Sequence, residues 1–251
     1  MGTLKPMSIF LAGAGPDHLA FPEVFDRFAQ EVSQAARTEH ARIAVVVHDR
    51  GGNPESRLAE YAEPLRARVA CNVVPVLLGQ DGPAEPALFD GVDAVVVGGG
   101  LTPAYMEGLN AAAASIARRV ASGAPYLGFS AGAMVAPERA LIGGYRVDGT
   151  EVCGEECSEG LDQLDIRTGL RLAPFTVDVH AAQAGTLGRA VAAVAAGLVD
   201  RAVAIDENTA LVLPGAGAED FEVMGTGNCW DIRSAATGAA ASVTVAVLRA
   251  T

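Results

Sequence analysis

The chain has 251 residues, half of them apolar but only 5% aromatic, and a formal net charge of −12. That is ample for a core built from Ala, Val, Leu and Ile, and the acidic balance speaks against nucleic acid and anionic membrane as partners. No apolar run reaches the ~20 residues that cross a bilayer, and Met1 to Pro6 lacks the apolar stretch of a signal peptide, so a cytoplasmic location is expected.

Short apolar runs alternate with helical stretches from the start. Ser8–Ala12 reads as a strand ending in Gly13-Ala14-Gly15-Pro16, and Phe21–Thr38 as a helix. Ile43–Val47 is a second strand, Ser56–Arg68 a second helix and Val73–Leu78 a third strand. Ala94–Val97 is a fourth strand that ends in Gly98-Gly99-Gly100, followed by a helix at Pro103–Ala121. Pro125–Phe129 is a fifth strand that runs straight into Ser130. This alternation predicts an α/β fold, a doubly wound and mostly parallel sheet flanked by helices, in one domain spanning residues 1–251.

The later part changes character. Thr176–Val179, Ala202–Ile205, Ala210–Leu213, Phe221–Gly225 and Val243–Leu248 read as strands, with a helix at Leu187–Ala196. Their short connections predict antiparallel pairs at the sheet edge. Val243–Leu248 reads as an edge to which a second subunit could add, giving a homodimer.

The four cysteines, Cys71, Cys153, Cys157 and Cys229, are irregularly placed. The Cys-x3-Cys spacing of Cys153 and Cys157 invites a metal site, but no histidine lies nearby and no second pair follows. They read as reduced, structural thiols, and neither metal nor organic cofactor is expected.

Chemistry concentrates after the fifth strand. Gly128-Phe129-Ser130-Ala131-Gly132 has the form G-x-S-x-G between a strand and a helix-compatible segment. A tight turn there exposes the serine hydroxyl above the sheet, and small neighbours prevent a clash. The bland alternative is a turn with a capping serine. The Ala131 amide, at the start of the next helix, can face a developing oxyanion, and Gly99 or Gly100 can supply a second donor. Serine needs a base. His180 ends the strand Thr176–Val179 and is the leading candidate; His18 and His48 also follow strands, whereas His40 sits in a polar turn. A carboxylate should orient the histidine. Asp148, Glu151, Glu155, Glu156 and Asp178 lie between serine and histidine, and their positions do not separate them.

Four segments together resemble peptidase family S51, which contains cyanophycinases and the aspartyl dipeptidase E. They are Val95–Gly100, Gly128–Ala133, Val177-Asp178-Val179-His180 and Ala204-Ile205-Asp206-Glu207-Asn208-Thr209-Ala210, and the resemblance spans roughly residues 8 to 214. It implies a fold similar to class I glutamine amidotransferases, with Ser130 as nucleophile and His180 as base. It implies Asp148 as the orienting acid, counted from Ile142-Gly143-Gly144, or Glu151 if the loop is longer. Gly99 and Ala131 become the oxyanion donors. Gly100, Leu101, Asp178 and Arg189 are the positions it brings to the substrate. Cyanophycinases have glutamine before the base and phenylalanine after it, where this chain has Val179 and Ala181. Of the arginines they carry just beyond, only Arg189 remains, with Ala184 and Thr186 at the other places. The expected activity is that of a cyanophycinase-like serine peptidase with a changed pocket, acting on a small peptide or isopeptide. Two other readings are an α/β-hydrolase esterase and a degenerate relative that binds a metabolite or partner.

Overall fold

The computed structural model describes residues 7–48, 54–79, 82–235 and 242–250. Five short strands form the parallel body of a seven-stranded sheet: β1 (Ile9–Ala12), β2 (Ala41–His48), β3 (Cys71–Leu78), β4 (Ala94–Val97) and β5 (Tyr126–Phe129). β12 (Thr209–Leu213) adds antiparallel to β1, and β13 (Glu222–Gly225) adds antiparallel to β12. The order is β13-β12-β1-β5-β4-β2-β3. β1, β4 and β5 are buried along their whole length, which is why they read as unbroken apolar runs rather than alternating ones.

Helices cover both faces. On one face lie α1 (Pro22–Ala35) and α2 (Pro54–Arg66). Val24, Phe25, Phe28, Ala29 and Val32 recur at helical spacing and form the buried stripe of α1, and Pro22 fits its first turn. Val24, Phe25, Phe28 and Val32 meet Phe10, Ile43, Val45, Val96 and Phe129 in one apolar cluster. On the other face lie α3 (Thr102–Leu109), α4 (Ala113–Ala121) and the short α5 (Ala131–Met134). The helix expected over Pro103–Ala121 is thus broken by a 3-10 turn at Asn110–Ala112. Gly108 and Asn110 are weak helix formers, and the Ala84 amide takes the Gly108 carbonyl that the helix ladder would need.

The C-terminal strands do more than extend the edge of the main sheet. β10 (Thr176–Val179), β11 (Arg201–Ile205), β14 (Asn228–Ala235) and β15 (Ser242–Arg249) form a separate four-stranded sheet. α6 (Leu187–Ala195) packs on it through Ala190, Ala193 and Val194. β10 and β11 run parallel, with Val179 opposite Ile205, so the residues after both strands emerge side by side. Along the chain between β5 and β10 come two small antiparallel pairs, β6 (Arg139–Gly143) with β9 (Asp165–Thr168), and β7 (Arg146–Val147) with β8 (Thr150–Glu151). β15 ends the second sheet, and its outer edge pairs with no strand among the described residues. No helix among them is long and apolar enough to cross a membrane.

Candidate active site

Ser130 follows the last residue of β5 and precedes α5. Its backbone sits at φ 49°, ψ −108°, which is costly for a residue with a side chain and is held by its surroundings. The Ser130 amide donates to the Ala12 carbonyl at 3.0 Å, and its carbonyl accepts from the amides of Ala133 and Met134. The flanking glycines are required by space. A Cβ on residue 132 would lie 2.2 Å from the Val97 carbonyl oxygen, and one on residue 128 would lie 2.5 Å from the Gly132 carbonyl oxygen.

His180 is the first residue after β10, also at positive φ (57°), with its amide bonded to the Gly13 carbonyl. Its Nε2 lies 3.0 Å from Ser130 Oγ. Its Nδ1 lies 2.7 Å from Glu207 Oε1. The carboxylate fixes the tautomer: Nδ1–H donates to Glu207, and Nε2 is left to accept the Ser130 hydroxyl proton.

The acid behind the histidine is therefore Glu207, not Asp148. Asp148 and Gly149 form the exposed two-residue turn of the β7–β8 hairpin, both at positive φ, which is the ordinary use of Asp-Gly. Glu151 is the partner of Arg146 on that hairpin, and Glu155 and Glu156 sit on an exposed 3-10 turn. Glu207 lies in the turn between β11 and β12, where the chain leaves the second sheet for the first. The signal was present in Ile205-Asp206-Glu207, a carboxylate just past a strand end, but it lies beyond the histidine rather than between serine and histidine.

Asp206 holds this corner together. It is buried, and it accepts hydrogen bonds from the Ala182 amide, the Asn228 amide and side chain, and Trp230 Nε1. Burial raises its carboxyl, but those donors outweigh burial and hold it below the usual carboxylate range. Gln183 adds a second tie by accepting the Glu207 amide at 2.9 Å. The loops carrying His180 and Glu207 are thus bonded to each other.

The glycine turn after β4 behaves differently from expectation. The Gly99 amide donates to Tyr61 Oη at 2.8 Å, and the Gly99 carbonyl accepts from Arg57 Nη2 at 2.7 Å and from Tyr105 Oη at 3.1 Å. Both backbone polar groups of Gly99 are committed, so its N–H does not face the serine as a donor. Among the described residues, the amides of Ala131 and Gly100 have no hydrogen-bond acceptor. What Gly99 contributes is closeness: a Cβ there would lie 3.2 Å from Ser130 Cβ.

A cleft of about 560 Å³ opens at Ser130 and His180 and is further lined by His48, Gly100, Leu101, Glu156, Ser158, Glu159 and Gly160. Asp178 and Arg189 do not reach it. They form a buried two-pronged ion pair at 2.6 and 2.9 Å, with side chains 0% and 3% exposed. Burial alone would lower the Arg189 guanidinium; the adjacent Asp178 more than offsets it and raises it above its ordinary range. Arg189 also donates to the Cys157 carbonyl at 2.6 Å and so pins the loop that walls the cleft. No group of three metal-ligating side chains occurs among the described residues. Burial raises the thiols of Cys153 and Cys157 above their ordinary range.

The sheet is mostly parallel, and it presents a serine on a strained strand-to-helix turn, backed by histidine and glutamate. Residues 67–220 match Peptidase family S51, and the chain belongs to that family. A peptidase from an acI-B1 Actinobacterium is similar in structure over 98% of this chain and 96% of its own, with TM-score 0.61 and 18% identity. A candidate peptidase E from Listeria monocytogenes EGD-e is similar over 88% of this chain and 98% of its own, with TM-score 0.54 and 13% identity. Likeness at those identities concerns the fold. No functionally curated protein matches the chain in sequence.

Proposed function

We propose that this S51 protein is a serine-type amide hydrolase that cleaves a small peptide or isopeptide through an acyl-enzyme. The observation that carries this reading is the hydrogen-bonded series Ser130 Oγ, His180 Nε2, His180 Nδ1, Glu207 Oε1 at 3.0 and 2.7 Å, at the floor of an open cleft. Ser130 attacks the carbonyl carbon while His180 Nε2 takes the hydroxyl proton. Glu207 stabilises the imidazolium that forms. The oxyanion is met by the Ala131 amide at the start of α5, with Gly100 as the second donor in place of Gly99. His180 returns the proton to the departing amine, and then takes one from the water that hydrolyses the ester.

The pocket supports a substrate unlike that of the cyanophycinases. Arg189, the one arginine retained after His180, is consumed by Asp178 and does not reach the cleft. The test is Ser130→Ala, read by a fluorophosphonate probe and by a dipeptide-hydrolysis screen. Labelling should vanish and turnover should fall on the order of 10⁴-fold or more, with the fold intact by circular dichroism. Turnover at an undiminished rate in that variant refutes the proposal.

A further inference from the structure

The Gly99 carbonyl and the Gly100 N–H belong to one peptide unit. That unit is planar and trans, so the two groups point in opposite directions. The carbonyl accepts from Arg57 Nη2 at 2.7 Å and from Tyr105 Oη at 3.1 Å. Holding the carbonyl on those two side chains therefore aims the Gly100 N–H away from both. Gly100 lines the cleft together with Ser130 and His180.

Arg57 is placed by its helix to do this. It stands four residues before Tyr61 on α2, so the two share one helix face. Between them they hold both backbone polar groups of Gly99, Tyr61 taking the amide at 2.8 Å and Arg57 the carbonyl. The guanidinium lies 5.9 Å from the centre of the Tyr61 ring, and its Nη1 donates to Glu60 at 3.1 Å. A Cβ on Gly99 would lie 3.2 Å from Ser130 Cβ, so this turn is packed directly against the nucleophile. A hydrogen bond from a cation is about twice as strong as a neutral one. It also polarises the peptide it meets, which makes the N–H at the other end a better donor.

We infer that Arg57 is a positioning residue for the oxyanion site. Its guanidinium fixes and polarises the Gly99–Gly100 peptide, with Tyr105 as the second clamp, so that the Gly100 N–H meets the charge developing on the substrate carbonyl oxygen. That charge arises only as Ser130 attacks, so Arg57 acts on the rate of the chemical step and not on binding. This rests on the hydrolase reading above and adds to it a residue that does not itself touch the substrate.

The experiment uses the full chain with Arg57→Met and Arg57→Lys. Methionine keeps an apolar stem beside the Tyr61 ring and removes the cation; lysine returns a cation that can donate to the carbonyl. Ser130 is labelled with a fluorophosphonate, in which Oγ bonds to phosphorus, fluoride leaves and the phosphoryl oxygen stands in for the oxyanion. Labelling is followed over probe concentration and pH, at a temperature where circular dichroism shows all three proteins folded. The maximal rate of the methionine variant should fall about tenfold or more, a part of the roughly 10²- to 10³-fold lost with a whole oxyanion donor. The half-saturating probe concentration should stay within about twofold of wild type. The midpoint of the pH profile should not move, because His180 and Glu207 are untouched. Lysine should recover most of the rate, a rescue that general loosening of α2 would not give. A methionine variant with a maximal rate within about twofold of wild type, a loss confined to half-saturation, a displaced pH midpoint that accounts for the loss, or a lysine variant no faster than methionine would each overturn the inference. If the methionine variant does not fold, Arg57→Gln takes its place under the same criteria. Failure of the probe to label the folded wild-type protein would instead overturn the hydrolase reading, and this inference with it.

Discussion

Replacing Glu207 with glutamine separates the geometry from the spacing argument that pointed to Asp148. In the proposed reaction the Glu207 carboxylate comes to face an imidazolium once His180 has taken the Ser130 proton. The contact distance is 2.7 Å, and the two side chains are 31% and 41% exposed. With an effective dielectric of roughly 40 to 80 for such a wet pair, the gained attraction is about 1.5 to 3 kcal/mol. At 1.36 kcal/mol per decade, kcat should fall about 10- to 200-fold. Loss of the tautomer fixed by the carboxylate adds to this, so the range is a lower bound. The rate of fluorophosphonate labelling reads the reactivity of Ser130 without a known substrate, and turnover of the best library peptide gives the second measure. Asp148→Asn is the control. Asp148 lies exposed on the hairpin turn, where asparagine also tolerates positive φ, so its labelling rate should stay within about twofold of wild type. A Glu207→Gln protein that labels at the wild-type rate, or an Asp148→Asn protein that falls as far, refutes the assignment.

Three further outcomes are expected. Asp178→Asn leaves Arg189 charged and buried with only carbonyl partners, and should cost about 3 to 5 kcal/mol in urea unfolding; a loss under 1 kcal/mol would show the pair to be dispensable. Tyr61→Phe removes the acceptor of the Gly99 amide and should destabilise by about 1 to 3 kcal/mol, with slower labelling as the glycine turn loosens against Ser130. Asp206 is held below its ordinary value, so its contribution is fully present above the unfolded value of about 3.9 and is lost as pH falls through the lower folded value. Stability should therefore drop through that window, and Asp206→Asn should flatten the drop while lowering stability at neutral pH; parallel pH profiles for the two proteins would contradict the role given to its four hydrogen bonds.

Much of the frame was legible because each of its signals is local. The parallel strands β1, β4 and β5 are buried on both faces, so their sequences are short apolar runs closed by glycine turns. Ser130 stood out because a tight strand-to-helix turn calls for small residues on both sides, and a Cβ at 128 or 132 would lie 2.5 or 2.2 Å from a carbonyl oxygen. His180 stood out because it ends such a strand. Other features left weaker marks. β9 reads Asp-Ile-Arg-Thr and β14 contains Asp231 and Arg233, so neither is an apolar run. Asp231 can be buried in β14 because Arg201 of β11 pairs with it at 2.9 Å, a contact between residues 30 apart.

The sequence by itself determined which residues can do chemistry and where strands end. The tertiary structure decided which of them meet. Glu207 reaches His180 because β10 and β11 are parallel neighbours in register, so the residues after Val179 and Ile205 emerge together. Arg189 was withdrawn from the substrate by a buried partner, and the Gly99 amide by Tyr61. Each of these outcomes depends on a contact between distant segments, set by strand order and burial, and no spacing along the chain encodes it.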